Sequence, residues 1–274
     1  MRMRTPEPIL VGHLFAPIHD ELMALLRGLN ADEWLAPTAA GAWSVRDVAA
    51  HLLDTGVRRL AMHRDGYTPP LAPDAFANGL GGFVNDLNAS GIAFARRLSP
   101  TLLIDLHDRY GPQLAELMAS LDPFAEAQWG VSWAGEQHSP MWFDVARELT
   151  ERWHHQQQIR DAVGRAPLYE RYLAPVLDTF IRALPYTYRD VYAPDGTTIV
   201  LRITDEGEGA WSLVREDSHW QLYADAAESR TTAVTMRGDA AWRVFTKQKI
   251  DPHASIQGDA KYAEPLLRMI AIVA

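Results

Sequence analysis

Residues 148–161 read Glu-Leu-Thr-Glu-Arg-Trp-His-His-Gln-Gln-Gln-Ile-Arg-Asp, a stretch without proline or glycine that predicts the interior of a helix. Glu151 and His155 are four residues apart, so on a helix their side chains leave the same face, one above the other. A carboxylate and an imidazole stacked in this way can bind one divalent cation. Glu148 extends the same stripe, whereas His154 points about 100° away from His155.

An isolated Glu-x-x-x-His pair is more often part of an ordinary solvated helix face than of a metal site. A second candidate ligand far upstream favours the metal site. His51 lies in the middle of Val48-Ala-Ala-His-Leu-Leu-Asp54, where apolar neighbours indicate that its side chain faces inward. A single inward histidine is usually a core residue, but with Glu151 and His155 it completes a His-Glu-His set.

Three protein ligands with a fourth position left open to water are typical of a catalytic zinc site. Nickel, iron and cobalt accept the same ligands, and ligand type alone does not choose among these ions. The sequence therefore predicts a divalent-metal site at His51, Glu151 and His155, with zinc as the first candidate.

The composition indicates a folded protein with a sizeable core, because 47% of its 274 residues are hydrophobic and 22% are charged. A net charge of -9 without a basic run argues against a nucleic-acid partner. No apolar run approaches the roughly 20 residues of a membrane span, and no signal-type apolar core follows the first eight residues. We therefore expect a cytoplasmic protein with no membrane partner, either a monomer or a homodimer.

The absence of cysteine excludes disulfides, zinc–thiolate sites and a cysteine nucleophile. Any bound metal must be held by histidine and carboxylate side chains. Any thiol chemistry requires a thiol supplied from outside the chain.

The first part of the chain has the apolar spacing of helices. Ser44 followed by Asp47 predicts a capping box at the start of a helix that reaches about Arg64. The other helical regions are predicted from residue 9 to 29, from Gly81 to Leu121 with an interruption at Ser99-Pro100, and from Ser139-Pro140 to Gly164. Four helices of this kind predict a four-helix bundle.

After Pro167 the pattern changes to a mixture of helices and strands. Runs of β-branched residues and a Glu-Gly-Glu-Gly turn predict strands at 198–204, 210–214, 219–223 and 231–236. Helices are predicted at 170–184, from Gly238 to Phe245, and from Gly258 to the C-terminus. The expected fold class is α+β, with domains at residues 1–166 and 167–274.

Two motifs carry a resemblance to a known family. The segment Trp43-Ser-Val-Arg-Asp-Val-Ala-Ala-His51-Leu resembles a sequence motif of the DinB-like metalloprotein superfamily. The segment Glu151-Arg-Trp-His-His155 resembles the final-helix motif of that superfamily, in the form found in the mycothiol-dependent maleylpyruvate isomerase family. Residues 236–239 and 256–259 are similar to parts of that family's small sterol-carrier-like domain.

The resemblance implies a DinB-like metal-binding bundle followed by a small sterol-carrier-like α+β domain. It also implies metal ligands at His51, Glu151 and His155 and a low-molecular-weight, mycothiol-like thiol as cosubstrate. That family's C-terminal domain supplies a catalytic arginine, usually after a Thr-Gly pair. Here the comparable stretch is Phe245-Thr-Lys-Gln-Lys249, so Lys247, Lys249 or Arg243 is the candidate substitute, although lysine lacks the planar fork of arginine.

The predicted function is addition of the thiol to a small electrophilic substrate, giving a cis-trans isomerase or a transferase. Two alternatives remain open. A metal-dependent hydrolase would use metal-bound hydroxide, with Glu148 as a candidate catalytic base. A non-enzymatic protein would instead hold a small apolar ligand in the C-terminal domain.

Overall fold

The computed structural model describes residues 3–272; residues 1, 2, 273 and 274, on which the expectations for the two chain ends partly fall, lie outside this range. The chain packs as two compact units. One unit comprises Leu10–Asp122 and Glu148–Pro167, and the other comprises residues 3–9, Pro123–Arg147 and residues 168–272. The division into domains 1–166 and 167–274 stays a prediction, and the compact units differ from it at residues 3–9, 123–147 and 167.

The first unit is helical, as predicted. Its helices are α1 (Phe15–Arg27), α2 (Val45–Arg59), α3 (Gly79–Ala95), α4 (Pro100–Ser120) and the part of α5 (Met141–Ala162) that follows Arg147. A single 3₁₀ turn precedes α1, and α2 continues as a π-helical turn over Leu60–Arg64. The interior between these helices is apolar and is formed by Leu26, Val48, Leu52, Leu103 and Ile159, among others.

Helix α2 begins with the predicted capping box. The Ser44 hydroxyl accepts a hydrogen bond from the Asp47 backbone N–H at 3.3 Å, and the Asp47 carboxylate accepts one from the Ser44 N–H at 3.2 Å. Arg96 also donates to Asp47 at 2.9 Å. Burial alone would raise the pKa of Asp47, but the hydrogen bonds from Arg96 and Ser44 lower it overall. The start of the helix that carries His51 is therefore well fixed.

The predicted third helical region consists of two separate helices. Ser99 has extended backbone angles and caps α4 through its hydroxyl, and Pro100 is the first helical residue. Helix α3 ends at Ala95, and because proline disfavours helical angles at the residue before it, Ser99 is extended and a separate helix starts at Pro100. Helix α3 also begins at Gly79, two residues before the expected start.

The second unit is built on a five-stranded sheet. Its elements in chain order are α6 (Leu173–Ile181), α7 (Leu184–Thr187), β1 (Thr198–Thr204), β2 (Gly209–Glu216), β3 (His219–Tyr223), β4 (Thr232–Arg237), α8 (Gly238–Phe245), β5 (Ser255–Gly258) and α9 (Glu264–Leu267). The strand order is β3-β2-β1-β4-β5. Strands β1 and β4 are parallel, and the other neighbouring pairs are antiparallel. The α+β fold class is confirmed.

The expected helix from Gly258 to the C-terminus is wrong. Gly258 instead ends strand β5 and pairs with Thr232, with a positive φ of 93° that suits glycine. A Cβ at this position would lie 2.2 Å from the Thr231 carbonyl oxygen, so the sheet approaches the backbone too closely for any side chain. Among the described residues, a 3₁₀ turn at Ala260–Tyr262 and the short helix α9 follow. Within residues 3–272, no helix has both the length and the apolar character needed to cross a bilayer.

Candidate metal centre

His51, Glu151 and His155 come together within the helical unit. Each offers one ligand atom, and these three atoms all lie within 4.8 Å of one another. His155 Nε2 is 3.5 Å from a Glu151 carboxylate oxygen, and the centroids of the two imidazole rings are 4.7 Å apart. Zinc–nitrogen and zinc–oxygen bonds are about 2.0–2.2 Å long, so a small inward movement of these side chains would enclose one ion.

Helices α2 and α5 place these side chains. His51 is buried on the inner face of α2, beside the fully buried Val48 and Leu52. Glu151 and His155 lie one turn apart on α5, as their four-residue spacing predicts. The structure therefore places the three predicted ligands together, although their role as ligands stays a prediction.

A glutamine fixes the orientation of the His155 ring. Nδ1 of His155 donates a hydrogen bond to Oε1 of Gln158 at 2.8 Å, and both side chains are buried. With its proton held at Nδ1, the ring presents the lone pair of Nε2 toward Glu151. Metal-binding histidines commonly have such a partner on the second ring nitrogen. The sequence analysis missed Gln158, whose only signal was its position one turn after His155.

The protonation states suit metal binding. Burial, and then the neighbouring His155, lower the pKa of His51 well below its ordinary value. Burial would raise the pKa of Glu151, but the three surrounding imidazoles outweigh it and lower that pKa strongly. At neutral pH His51 is therefore neutral and Glu151 is a carboxylate, which are the forms that bind metals. Nδ1 of His51 is buried without a hydrogen-bond partner, so the donor set fits a cation.

His154 belongs to a different environment from His155. Its Nδ1 donates to the Thr150 carbonyl at 3.0 Å, and its ring lies 4.0 Å from that of His155, centroid to centroid. Burial lowers the pKa of His154 to about 4. His154 is only 3% exposed.

Glu148 lies in a buried ion-pair cluster. Arg59 donates a hydrogen bond through Nε to Oε2 of Glu148 at 3.2 Å, and Arg152 Nη2 lies 3.2 Å from Oε1. The second contact is an ion pair whose geometry is not that of a hydrogen bond. The three side chains are all buried. Both oxygens of the candidate base therefore face guanidinium groups.

Trp43 forms an aromatic wall beside two of the candidate ligands. Its ring centroid lies 5.0 Å from that of His51 and 6.2 Å from that of His155. Trp43 directly precedes the Ser44 cap, so the same capping box that starts α2 also sets the position of this ring.

Arg243 and Lys247 belong to the sheet-containing unit. Arg243 donates to Asp239 at 3.0 Å and to Gln248 at 3.1 Å, and its guanidinium lies over the Trp242 ring. Lys247 follows α8 with a positive φ of 66°. It borders a groove of about 600 Å³ that includes Ile250 and several other apolar side chains. The catalytic role suggested for these two residues stays a prediction.

Residues 15–160, more than half of the chain, match the profile of the family described as the mycothiol maleylpyruvate isomerase N-terminal domain. This range contains all three candidate ligands. The chain belongs to the mycothiol maleylpyruvate isomerase N-terminal domain family. The family assignment made from the two bundle motifs is thereby confirmed.

The similarity to known proteins and structures extends beyond this domain. An uncharacterized protein of Mycobacterium tuberculosis H37Rv is 28% identical over 221 residues, covering 80% of this chain and 81% of that protein. A crystal structure of mycothiol-dependent maleylpyruvate isomerase has a TM-score of 0.57 at 14% identity, covering 92% of this chain and 93% of that one. A mutant of such an isomerase has a TM-score of 0.54. This isomerase-like fold therefore extends past the family domain into the sheet-containing unit.

Proposed function

We propose that this protein is a divalent-metal-dependent enzyme that uses a mycothiol-like thiol to add to, or isomerise, a small electrophilic substrate. The observation that carries the proposal is the His51–Glu151–His155 cluster, with two buried histidines and a half-buried glutamate, within a bundle of the mycothiol maleylpyruvate isomerase N-terminal domain family. The solved isomerase of this fold is named for its dependence on mycothiol. We extend that thiol class to this chain.

His51, Glu151 and His155 would hold the cation, for which zinc is the first choice. Once bound, a divalent cation supplies a Lewis acid that favours the thiolate form of a thiol near neutral pH. Glu151 contributes the only negative charge among the three ligands. Gln158 keeps the His155 lone pair directed at the site.

The charges around the cluster favour an anionic sulfur. Glu148 and Glu151 carry two negative charges, and Arg59 and Arg152 carry two positive charges, so these four side chains are neutral together. A divalent cation would leave this buried region with an excess of two positive charges, which a thiolate reduces. Trp43 adds an apolar, polarisable wall, and sulfur makes favourable contacts with aromatic rings.

The chain itself contributes no competing thiol, because it has no cysteine. Lys247 is the proposed substitute for the arginine of that family's C-terminal domain, since the guanidinium of Arg243 is already hydrogen-bonded to Asp239 and Gln248. A hydrolase is the weaker candidate. Its proposed base, Glu148, is engaged by Arg59 and Arg152.

The test compares untagged wild-type protein with His51→Ala and with His138→Ala, an exposed histidine outside the cluster. Metal content is measured after zinc loading and dialysis, and conversion of electrophiles is followed with mycothiol, glutathione or no thiol. We expect metal and thiol-dependent conversion in wild type and His138→Ala, and loss of both in His51→Ala. Substrate turnover without thiol would instead support hydrolysis, and failure to retain metal would contradict the metal site.

A further inference from the structure

A small cavity with a few polar side chains in its lining lies inside the helical unit, separate from the three candidate ligands. It is a cavity of about 20 Å³ that is lined mostly by apolar residues of α1, α2, α4 and α5. Arg152 and Gln156 line it from α5, and His19 lines it from α1. A space of this size accommodates a single water molecule or monatomic ion but no organic ligand.

Gln156 presents a fixed acceptor. Its side chain is 1% exposed, and its Nε2 donates to the Ile18 carbonyl at 2.8 Å. That bond determines the orientation of the amide, because exchanging the two amide atoms would place oxygen against oxygen. Oε1 of Gln156 is buried without a hydrogen-bond partner. A buried acceptor of this kind costs about 1–3 kcal/mol unless something donates to it.

Arg152 presents a fixed donor one turn earlier on the same helix face. Nη1 donates to the Leu52 carbonyl at 3.3 Å, and Nη2 makes the ion pair with Glu148. Nε is buried without a hydrogen-bond partner, and the side chain is only 10% exposed. Gly56 makes room for this guanidinium, because a Cβ there would lie 2.9 Å from Nη2.

His19 and Gly111 complete the pocket. A Cβ at Gly111 would lie 1.9 Å from Cε1 of His19, so only glycine on α4 leaves space for this ring. Burial, and then the positive charge of Arg152, lower the pKa of His19. At neutral pH the imidazole is therefore uncharged and can either accept or donate a hydrogen bond.

We propose that this pocket is a built binding site for one ordered water molecule, which accepts a hydrogen bond from Arg152 Nε and donates one to Gln156 Oε1. Water satisfies a donor and an acceptor at once, whereas a halide ion would face the lone pairs of Gln156 Oε1. The charges of Arg59 and Arg152 are together already balanced by Glu148 and Glu151, so an anion in the pocket has no net charge to neutralise. The remaining hydrogen of the water is available to His19.

Such a water would connect the helices that carry the candidate ligands. Arg152 follows Glu151 and already bonds the carbonyl of Leu52, the residue after His51. Gln156 follows His155 and bonds α1. The pocket residues thus join α5 to α2 next to Glu151, and α5 to α1 next to His155. The proposal does not depend on the metal or on the enzymatic function.

The experiment combines crystallography with solution NMR on the intact protein. In crystals grown with bromide, we expect a water peak within hydrogen-bond distance of Arg152 Nε and Gln156 Oε1, and no bromide anomalous signal there. In solution, the Arg152 Hε resonance, assigned by its loss in Arg152→Lys, should show a magnetisation-transfer peak to water. Gln156→Met should weaken or abolish that peak, whereas Gln113→Met, a substitution on α4 outside the pocket lining, should leave it unchanged.

A bromide peak in the pocket would overturn the proposal in favour of an anion. A closed pocket, in which Nε and Oε1 bond each other or other protein groups, would also overturn it. If Gln156→Met does not fold, the wild-type crystal and the wild-type water transfer still decide between these outcomes.

Discussion

Nδ1 of His155 is 2.8 Å from Oε1 of Gln158, and this single contact determines which nitrogen of His155 faces Glu151. We predict that Gln158→Met weakens zinc binding roughly 10- to 100-fold, because the ring loses the partner that fixes its tautomer. Gln158→Glu keeps an acceptor at the same position and should retain most of the affinity. Competition with a chromophoric chelator measures the dissociation constants. Equal affinities for Gln158→Met and wild type would contradict the assigned role of Gln158.

Neighbouring histidines on α5 should differ sharply in their effect on metal content. His155→Ala should abolish metal binding, and Glu151→Gln should weaken it by removing the anionic ligand. His154→Ala should keep its metal but lose roughly 2–4 kcal/mol of unfolding free energy, because it empties a buried site. Metal analysis after a common dialysis, together with urea denaturation, tests all three. Metal loss in His154→Ala with retention in His155→Ala would mean that His154, and not His155, is the ligand.

Substitution of Glu148 should change the stability of the protein more than its catalytic activity. Glu148→Gln leaves the buried guanidinium groups of Arg59 and Arg152 without a counter-charge, which typically costs about 3–5 kcal/mol. Denaturation of the wild-type and variant proteins measures this loss. Where the variant is folded, its zinc affinity should stay near that of wild type. A variant of unchanged stability that loses all turnover would instead identify Glu148 as the catalytic base.

The stability of the protein should fall as the pH decreases below about 6.5. His107 donates to the Ala49 carbonyl, and burial lowers its pKa to about 4. Because its folded pKa is lower than its unfolded pKa, the unfolded chain takes up the proton first, and stability is lost as the pH falls from about 6.5 toward 4. The slope from this residue approaches about 1.4 kcal/mol per pH unit within that window.

His107→Gln supplies the control, since an amide can donate to the same carbonyl but does not titrate. Urea denaturation of both proteins across this pH range should give a shallower dependence for the variant. Identical pH profiles would show that His107 does not bind fewer protons in the folded state than in the unfolded state.

The features that the sequence could predict are those determined by residues close together in the chain. The capping box at Ser44 and Asp47 uses side chains three residues apart, and the β-branched run of β1 has its own strand preference. The four-residue spacing of Glu151 and His155 likewise follows from helix geometry alone. Each of these features depends on residues that are close in the sequence.

Tertiary contacts determine what the sequence could not predict. The four residues of β5 are all exposed and form a strand only because β4 offers a free edge. His154 is buried although helix geometry turns it away from the ligand face. Arg59 reaches Glu148 across 89 positions in the sequence, so no local pattern could indicate that this carboxylate is paired.

Helix α5 begins in one compact unit and continues into the other, since residues up to Arg147 belong with the sheet and residues from Glu148 belong with the bundle. The polypeptide therefore enters the bundle, leaves it after Asp122 and returns at Glu148. A single recombination event between genes therefore could not add or remove one complete unit. A recombination event at the boundary near Pro167 would transfer the sheet without residues 123–147, so the two units are expected to be inherited together.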